Sequence, residues 1–430
     1  MRILCIGDIQ LASALRELGH ELHVLGCPDR ISQTKRDSRI FFERPAQARQ
    51  LVAEAVAAHK PEVLIVGDDS SPLLHLGLEH YELPRLWWSI DTHLHVNWHR
   101  HFSTQFHRVM GAQRPFLKEL RDSSGRPAKW LPLFFPAAIP FTPWPERRGG
   151  VTFVGTLDKT KNPRRVAFFE ALSRRLPVQV LQGDYRKIYR NSQIVINQAV
   201  AGDLNYRLFE AMGCGAALVT ENLPQGFRDI ATPGEEFLTY APGDVEDAAK
   251  AIESLLAEPA RCEQLARAGY EKINQNHLAM HRALFFDGML KETASSCAKA
   301  TPEAKDRLAY AHWVVARLNY PEPLRVFFAS EALRRATAYR NRGDHPYPWS
   351  HLILAESAVQ AGQWKKAGKL LKAMDPPDDT AFMEVFAPIR AVVAAQAMDQ
   401  VEALYWVRRG LRVAPANTVL LEMDEKLKLG

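Results

Sequence analysis

Short apolar runs alternate with helix-patterned stretches through the first two-thirds of this chain, and the alternation starts twice. The first series opens with RILCIGD, continues through LASALRELGH, which reads as a helix stopped at Gly19, and reaches a second strand in ELHVLG. QARQLVAEAVAAHK has helical periodicity, PEVLIVGDD reads as a buried strand, and LPRLWWSIDTH as another strand ending in polar residues. This β-α-β order implies an open parallel sheet. Ligands of such sheets lie beyond the carboxyl ends of the strands, so Asp8, Asp68, Asp69, Asp91 and His93 fall on the expected binding edge.

The series breaks at LPLFFPAAIPFTPWPERRGG, residues 131–150, which is too rich in proline for a helix or central strand. A second α/β series follows. VTFVGT reads as a strand, PRRVAFFEALSRRL as a helix, VQVLQG and SQIVINQA as strands, NYRLFEAMGCG as a helix and AALVTE as a strand. DVEDAAKAIESLLAEPARCEQLARAGYEKINQ then supplies two amphipathic helices, and no strand pattern is found beyond about Ala300. The expected fold class is therefore α/β with two Rossmann-like domains, followed by an all-α domain. The expected boundaries are 1–140, 141–295 and 300–430. The last part carries a weak repeat: Ala367 and Ala403 stand 36 positions apart, and Pro376 and Pro415 each follow a helical stretch, close to a tetratricopeptide period. Generic helical hairpins remain the alternative.

Composition narrows the function classes. The chain has 430 residues, enough for two or three domains, and its 47% hydrophobic and 24% charged residues match an ordinary globular protein. A net charge of +6 is weak over this length, so no nucleic-acid partner is expected. The tail from Thr301 has 18 basic and 15 acidic residues, which points the same way. Cys5, Cys27, Cys214, Cys262 and Cys297 are scattered and form no CxxC pair, as expected of reduced thiols in the cytoplasm. Asp8 interrupts the apolar start and no long apolar run follows, so neither an export signal nor a membrane span is expected.

The chemistry concentrates in NYRLFEAMGCGAALVTENLPQGFRDI, residues 205–230. A helix starting near Asn205 presents free N–H groups and its positive end to the sheet edge, a seat for a diphosphate. Arg207 adds charge there, and Glu210, three positions on, can accept hydrogen bonds from ribose hydroxyls. Gly213 and Gly215 suit a close approach of helix and strand. From physics alone the segment is also consistent with a plain helix–strand junction.

FEAMGCGAALVTENLP, with GEEFLTYAPGDVEDAAKAIESLLAEPARCEQLARAGYEKI after it, resembles the C-terminal domain of the CgeB-like, spore-maturation-type glycosyltransferases, members of the GT-B group. The likeness spans about residues 150–285, is looser in MRILCIGD, LPRLWWSIDTH and KWLPLFFP, and does not reach the tail. It implies two domains facing each other across a cleft, with a nucleoside diphosphate sugar on the second and the acceptor on the first. Glu210 matches the family's ribose-binding glutamate. The family's GRLxxxKG pattern falls on GTLDKTKN, so Gly155 and Lys161 match while Thr156 stands where arginine is usual. Arg207 is the candidate replacement cation, with Lys159 and Arg165 behind it. The first member of the paired-glutamate pattern is also missing, Gly202 standing there beside Asp203. The resemblance therefore fixes no stereochemical outcome.

Two other clusters bear on mechanism. Asp68-Asp69 lacks the DxD spacing of metal-dependent transferases, and DTHLHVNWHRHF brings His93, His95, His99 and His101 together without an HExxH or cysteine partner. No metal and no resident cofactor are expected. Asp91 and His93, at the end of a strand facing the cleft, are the candidate general bases for an acceptor hydroxyl. The expectation is a metal-independent transferase, most readily a hexosyltransferase. It would act on a nucleotide sugar and on a protein acceptor held by the helical repeats, with a flagellin-type surface protein as one example. The alternatives are a polysaccharide or small-glycoside transferase whose repeats serve homo-oligomerisation, and a non-catalytic scaffold.

Overall fold

Short apolar runs become the inner strands of two parallel sheets, buried on both faces, while the edge strands are only partly buried. The computed structural model describes residues 1–7, 10–25, 45–67, 72–224, 226–294, 299–340, 347–377 and 379–428. Asp8, Asp68, Asp69, Cys27 and Cys297 lie outside these residues.

The first sheet contains β1 (Arg2–Ile6), β2 (Glu21–Leu25), β3 (Val63–Gly67), β4 (Arg85–Ser89), β5 (Arg108–Gly111) and β6 (Ala128–Trp130), in the order β2-β1-β3-β4-β5-β6 with every pair parallel. Its helices are α1 (Ala12–Glu17), α2 (Pro45–His59), α3 (Thr92–Phe102) and α4 (Leu117–Ser124). β3 and β4 are buried throughout, as strands covered on both faces must be. In β4, neighbouring tryptophans serve opposite faces: Trp87 stacks on Phe106, while Trp88 packs on Phe134 and donates its indole N–H to Leu131 O at 3.0 Å. β4 ends at Ser89, so Thr92 and His93 are helical rather than the end of a strand. The Ser89 and Thr92 hydroxyls, 2.5 Å apart and buried, turn the strand into α3.

The second sheet contains β7 (Val151–Val154), β8 (Val178–Leu181), β9 (Ile194–Asn197), β10 (Ala217–Glu221) and β11 (Leu238–Tyr240), again all parallel, in the order β11-β10-β9-β7-β8. Around it run α5 (Pro163–Leu172), α6 (Tyr185–Asn191), α7 (Tyr206–Gly213), α8 (Val245–Ala257) and α9 (Pro259–Asn276), and α10 (Ala279–Thr293) follows them. After α9 the chain returns to the first sheet. Phe135 N–H donates to His277 O, and Ala279 N–H donates to Phe135 O, both at 2.9 Å. Arg282 donates to the carbonyls of Pro132 and Leu133, and His20 bonds Asp287 at 3.1 Å, seating α10 beside α1. Both sheets fall in one compact unit, made of Met1–Leu76, Glu82–Val96 and Phe106–Ala298.

The second unit is all-helical: α11 (Pro302–Val315), α12 (Glu322–Arg340), α13 (Pro348–Gln360), α14 (Trp364–Lys372), α15 (Thr380–Gln396), α16 (Gln400–Val413) and α17 (Thr418–Lys428). α11 packs on α12, α13 on α14 and α15 on α16. Ala367 and Ala403 are fully buried. This unit also takes Gly77–Tyr81 and Asn97–Gln105 from the N-terminal sequence. Glu79 pairs with Arg335 at 2.6 Å, the Gln105 amide donates to Ala304 O at 2.6 Å, and the His101 ring packs edge-on against Tyr310 and Trp349. No described helix is long and apolar enough to cross a membrane.

Candidate functional site

β9 ends at Asn197, the chain crosses Gln198–Leu204, and α7 begins with Asn205 in an extended N-cap conformation. No side chain caps this helix, so its first-turn amides stay available at the sheet edge. The Asn205 amide nitrogen reaches Asp203 O at 3.4 Å, and its carbonyl oxygen is buried with no hydrogen-bond partner. A buried polar atom left this way at a helix N-terminus is suited to a ligand.

Arg207, on the first turn of α7, is held from several sides. Its Nε donates to Val154 O at 3.0 Å and its Nη1 to Asn197 Oδ1 at 2.7 Å, and its guanidinium lies 4.3 Å from the centre of the Phe153 ring. Arg165 sits 5.6 Å from the same ring and is fixed by the side chain and backbone carbonyl of Gln198, both at 2.9 Å. Burial, then the charge of Arg207, pushes the Arg165 pKa down to about 10. Two cations held close enough to repel, at the carboxyl ends of β7 and β9, form an arrangement suited to an anion. Glu221 supports the loop by accepting from Ala199 N–H and Gly243 N–H, and its burial raises its pKa.

Gly155 follows β7 and has no room for a side chain. A Cβ there would lie 2.8 Å from the Phe153 ring and 2.9 Å from Arg207 Nη2. Lys161 is exposed on the loop after it, and its ammonium enters no ion pair among the described residues. The loop is shaped by Asp158, whose carboxylate accepts from Lys161 N–H and Thr160 N–H; those bonds lower its pKa. Thr156 is exposed, and Lys159 pairs with Glu170 at 3.3 Å. Glu210 is half-buried, one turn along α7 from Arg207, where its charge adds to burial in raising the Tyr185 hydroxyl to about 12. Gly213 and Gly215 do allow a close approach, but to the interdomain segment: added Cβ atoms would strike Phe135, and Arg147 with Phe141, respectively.

On the first sheet, Asp91 precedes α3 and His93 lies in its first turn, both half-buried. His93 Nδ1 is buried without a hydrogen-bond partner. The histidine-rich segment does not act as one cluster: His93 and His95 belong to the first unit, while His99 and His101 are fully buried in the second. No three His, Cys, Asp or Glu side chains are grouped to hold a metal among the described residues. Cys5, Cys214 and Cys262 are free and buried, their thiols pushed up to about 12 by burial.

The residue that joins the two sheet edges has no sequence signature. Gln113, 1% exposed, pairs its side-chain amide with the backbone of Leu204 in both directions, donating to its carbonyl at 3.0 Å and accepting from its N–H at 2.9 Å. The same nitrogen lies 3.3 Å from Ile90 O. The residues before Asp91 and Asn205 are thus tied to one side chain. At the other end of α7, buried Arg147 donates to the carbonyls of Tyr189, Ser192 and Cys214, and to Thr142 O.

Residues 144–287, about a third of the chain, match the family model described as glycosyl transferase-like. The fold is that of GT-B proteins. Sucrose-phosphate synthase from Thermosynechococcus elongatus superposes with a TM-score of 0.50 at 16% identity, over 68% of this chain and 98% of that one. Anabaena HepE gives 0.52 at 13% in a structure with UDP and glucose, and 0.51 at 12% in one with UDP-glucose, each over 68% of this chain and all of its own. Among curated protein sequences none matches this chain.

Proposed function

We propose that this protein transfers a sugar from a nucleoside diphosphate sugar to an acceptor hydroxyl, binding the donor at the carboxyl edge of the second sheet. The observation that carries the reading is the arginine pair about Phe153 beside the uncapped start of α7, inside the segment that matches the transferase-like model. In the reaction the acceptor oxygen bonds to the anomeric carbon, and the bond from that carbon to the β-phosphate oxygen breaks. The diphosphate leaves with the electron pair, and the hydroxyl proton passes to a base.

Arg207, the first-turn amides of α7 and Lys161 stabilise the leaving diphosphate, so the charge usually supplied by a metal is supplied by the chain. Two of Arg207's nitrogens are engaged by Val154 and Asn197, and its Nη2 lies close against Gly155. Arg207 thereby takes the part of the arginine that Thr156 replaces. Glu210 receives the ribose hydroxyls, and Asp91 or His93 receives the proton. The UDP-bound HepE structures make UDP-glucose the first donor to test. The finer reading is a CgeB-like, cytoplasmic hexosyltransferase whose tetratricopeptide-like helices hold a polypeptide acceptor. Thr156 and Gly202 favour the second reading, a nucleotide-sugar binder without turnover.

Donor hydrolysis by water separates the two. Incubation with UDP-sugars and other nucleoside diphosphate sugars should release the free sugar and the nucleoside diphosphate at a rate reduced by Lys161→Ala. Tight donor binding with no release above the uncatalysed rate would favour the binder.

A further inference from the structure

One groove in the helical unit has a charge pattern that its own fold does not call for. It has a volume of about 900 Å³ and is bounded by α14, α15 and the start of α16. Lys365, Lys366, Lys369 and Lys372 line it from α14, all exposed, and Arg390 lines it from α15. Among the described residues Glu402 is the single carboxylate on its wall, bonded by Arg390 and 3.9 Å from Lys372. Lys366 reaches the Gln363 side chain at 3.2 Å, while Lys365 and Lys369 enter no ion pair among the described residues. The floor between these cations is apolar, formed by Gly368, Val393 and Ala394.

The repeat itself supplies the comparison. Thirty-six positions after Gln363 stands Asp399, whose carboxylate caps α16 by accepting from Glu402 N–H at 2.9 Å, and Glu402 adds a second acid to that first turn. α14 has no side-chain cap, and its first turn carries Lys365 and Lys366 where α16 carries Val401 and Glu402. Cations at the positive end of a helix are unfavourable, so this charge pattern opposes the stability of α14. An independent sign comes from Arg390, which is 5% exposed and whose Nε is buried with no hydrogen-bond partner. Uncapped amides, four lysines and an incompletely bonded buried guanidinium all favour an anion in the same groove.

We propose that this groove is the docking surface for an acidic polypeptide segment, whose carboxylates meet Lys365, Lys366 and Lys369 while its apolar side chains cover Val393 and Ala394. A polypeptide fits better than a nucleic acid because the cations are confined to one short groove with an apolar floor. From Thr301 onward there are 18 basic and 15 acidic residues, and without the groove's five cations and Glu402 there are 13 and 14, so the excess of positive charge lies in the groove. The inference stands on the groove alone and does not depend on sugar transfer. If transfer to a polypeptide holds, the same groove gives that polypeptide its address.

The test is fluorescence anisotropy of the full chain with a short labelled peptide of alternating acidic and leucine residues. Saturable binding is expected, weakening by about tenfold between about 50 and 300 mM salt as the charges are screened. The double variant Lys365→Glu/Lys369→Glu alters only exposed side chains; it should melt no lower than the wild type, keep its nucleotide affinity and lose about tenfold in peptide affinity. Absence of peptide binding at low salt would overturn the proposal, and so would binding that the double variant leaves unchanged. Tighter binding of single-stranded DNA or of phosphatidylserine vesicles, abolished by the same variant, would also overturn it by assigning the groove to another class of ligand.

Discussion

His101 shows at the scale of one residue how local sequence misleads. Beside His93, His95 and His99 it suggests a metal or proton-transfer cluster, yet its ring is fully buried between Tyr310 and Trp349 and neither nitrogen has a partner. Burial, with the nearby charges of Arg100 and Arg307, holds its pKa well below the ordinary histidine value, and burial does the same to His312, down to about 3. In both cases the folded chain refuses a proton that the unfolded chain accepts. The stability that this neutrality allows is therefore full above about pH 6.5 and falls as the pH drops, by up to about 1.4 kcal/mol per pH unit for each histidine. Asp306 works in the opposite direction: burial raises it to about 6, so its proton uptake in the folded state offsets part of the loss between there and its ordinary value. His101→Phe keeps the ring and removes one titration. Melts from pH 7.5 to 5 should be higher and flatter for this variant, and an unchanged slope would show that His101 does not contribute. Arg207 and Glu210, by contrast, are legible because a helix start with a cation and an acid one turn apart is a local pattern. Gln113 and Arg147 act over 91 and 67 positions, which no local pattern encodes.

At the scale of elements, α7 is the part on which the proposed donor site depends. It is held at its start by Gln113 through Leu204 and at its end by Arg147 through Cys214. Gln113→Leu would leave the buried N–H and carbonyl of Leu204 unpaired, at about 1–3 kcal/mol for each group. Hydrogen exchange across 199–206 should then quicken and donor affinity fall, while β1 to β3 exchange as before. Unchanged exchange in that segment would show that the amide pairing does not hold α7. The periodicities of β1, β3, β4, β7, β9 and β10 are readable because each is a run of apolar residues buried on both faces. β5, β6 and α6 are short, and α6 (YRKIYRN) is mostly polar in sequence, so nothing marks it until Tyr189 packs beneath Val154. The strand expected to run through Thr92 ends earlier because the Ser89–Thr92 hydroxyl pair starts α3.

At the scale of the whole molecule, the order of two sheets and a helical tail is visible in the sequence, but the composition of the units is not. The helical unit draws Gly77–Tyr81 and Asn97–Gln105 from far upstream, and Glu79, Arg335 and Glu331 form a buried ionic group that spans those segments. A chain ending near residue 296 would strip the partners from Glu79, His101 and Gln105. It should aggregate or melt well below the full chain rather than persist as a free donor-binding core, and a soluble truncation with the full chain's melting temperature would contradict this division. The central claim, that the carboxyl edge of the second sheet binds a nucleoside diphosphate, is tested most directly by calorimetric titration of UDP into the full chain and into Arg207→Ala. The charge-assisted contacts proposed for Arg207 are of a kind worth about 1.5–3 kcal/mol, so one saturable site in the wild type should weaken by about tenfold or more in the variant. UDP binding of equal affinity in both proteins would place the nucleotide elsewhere and contradict the account.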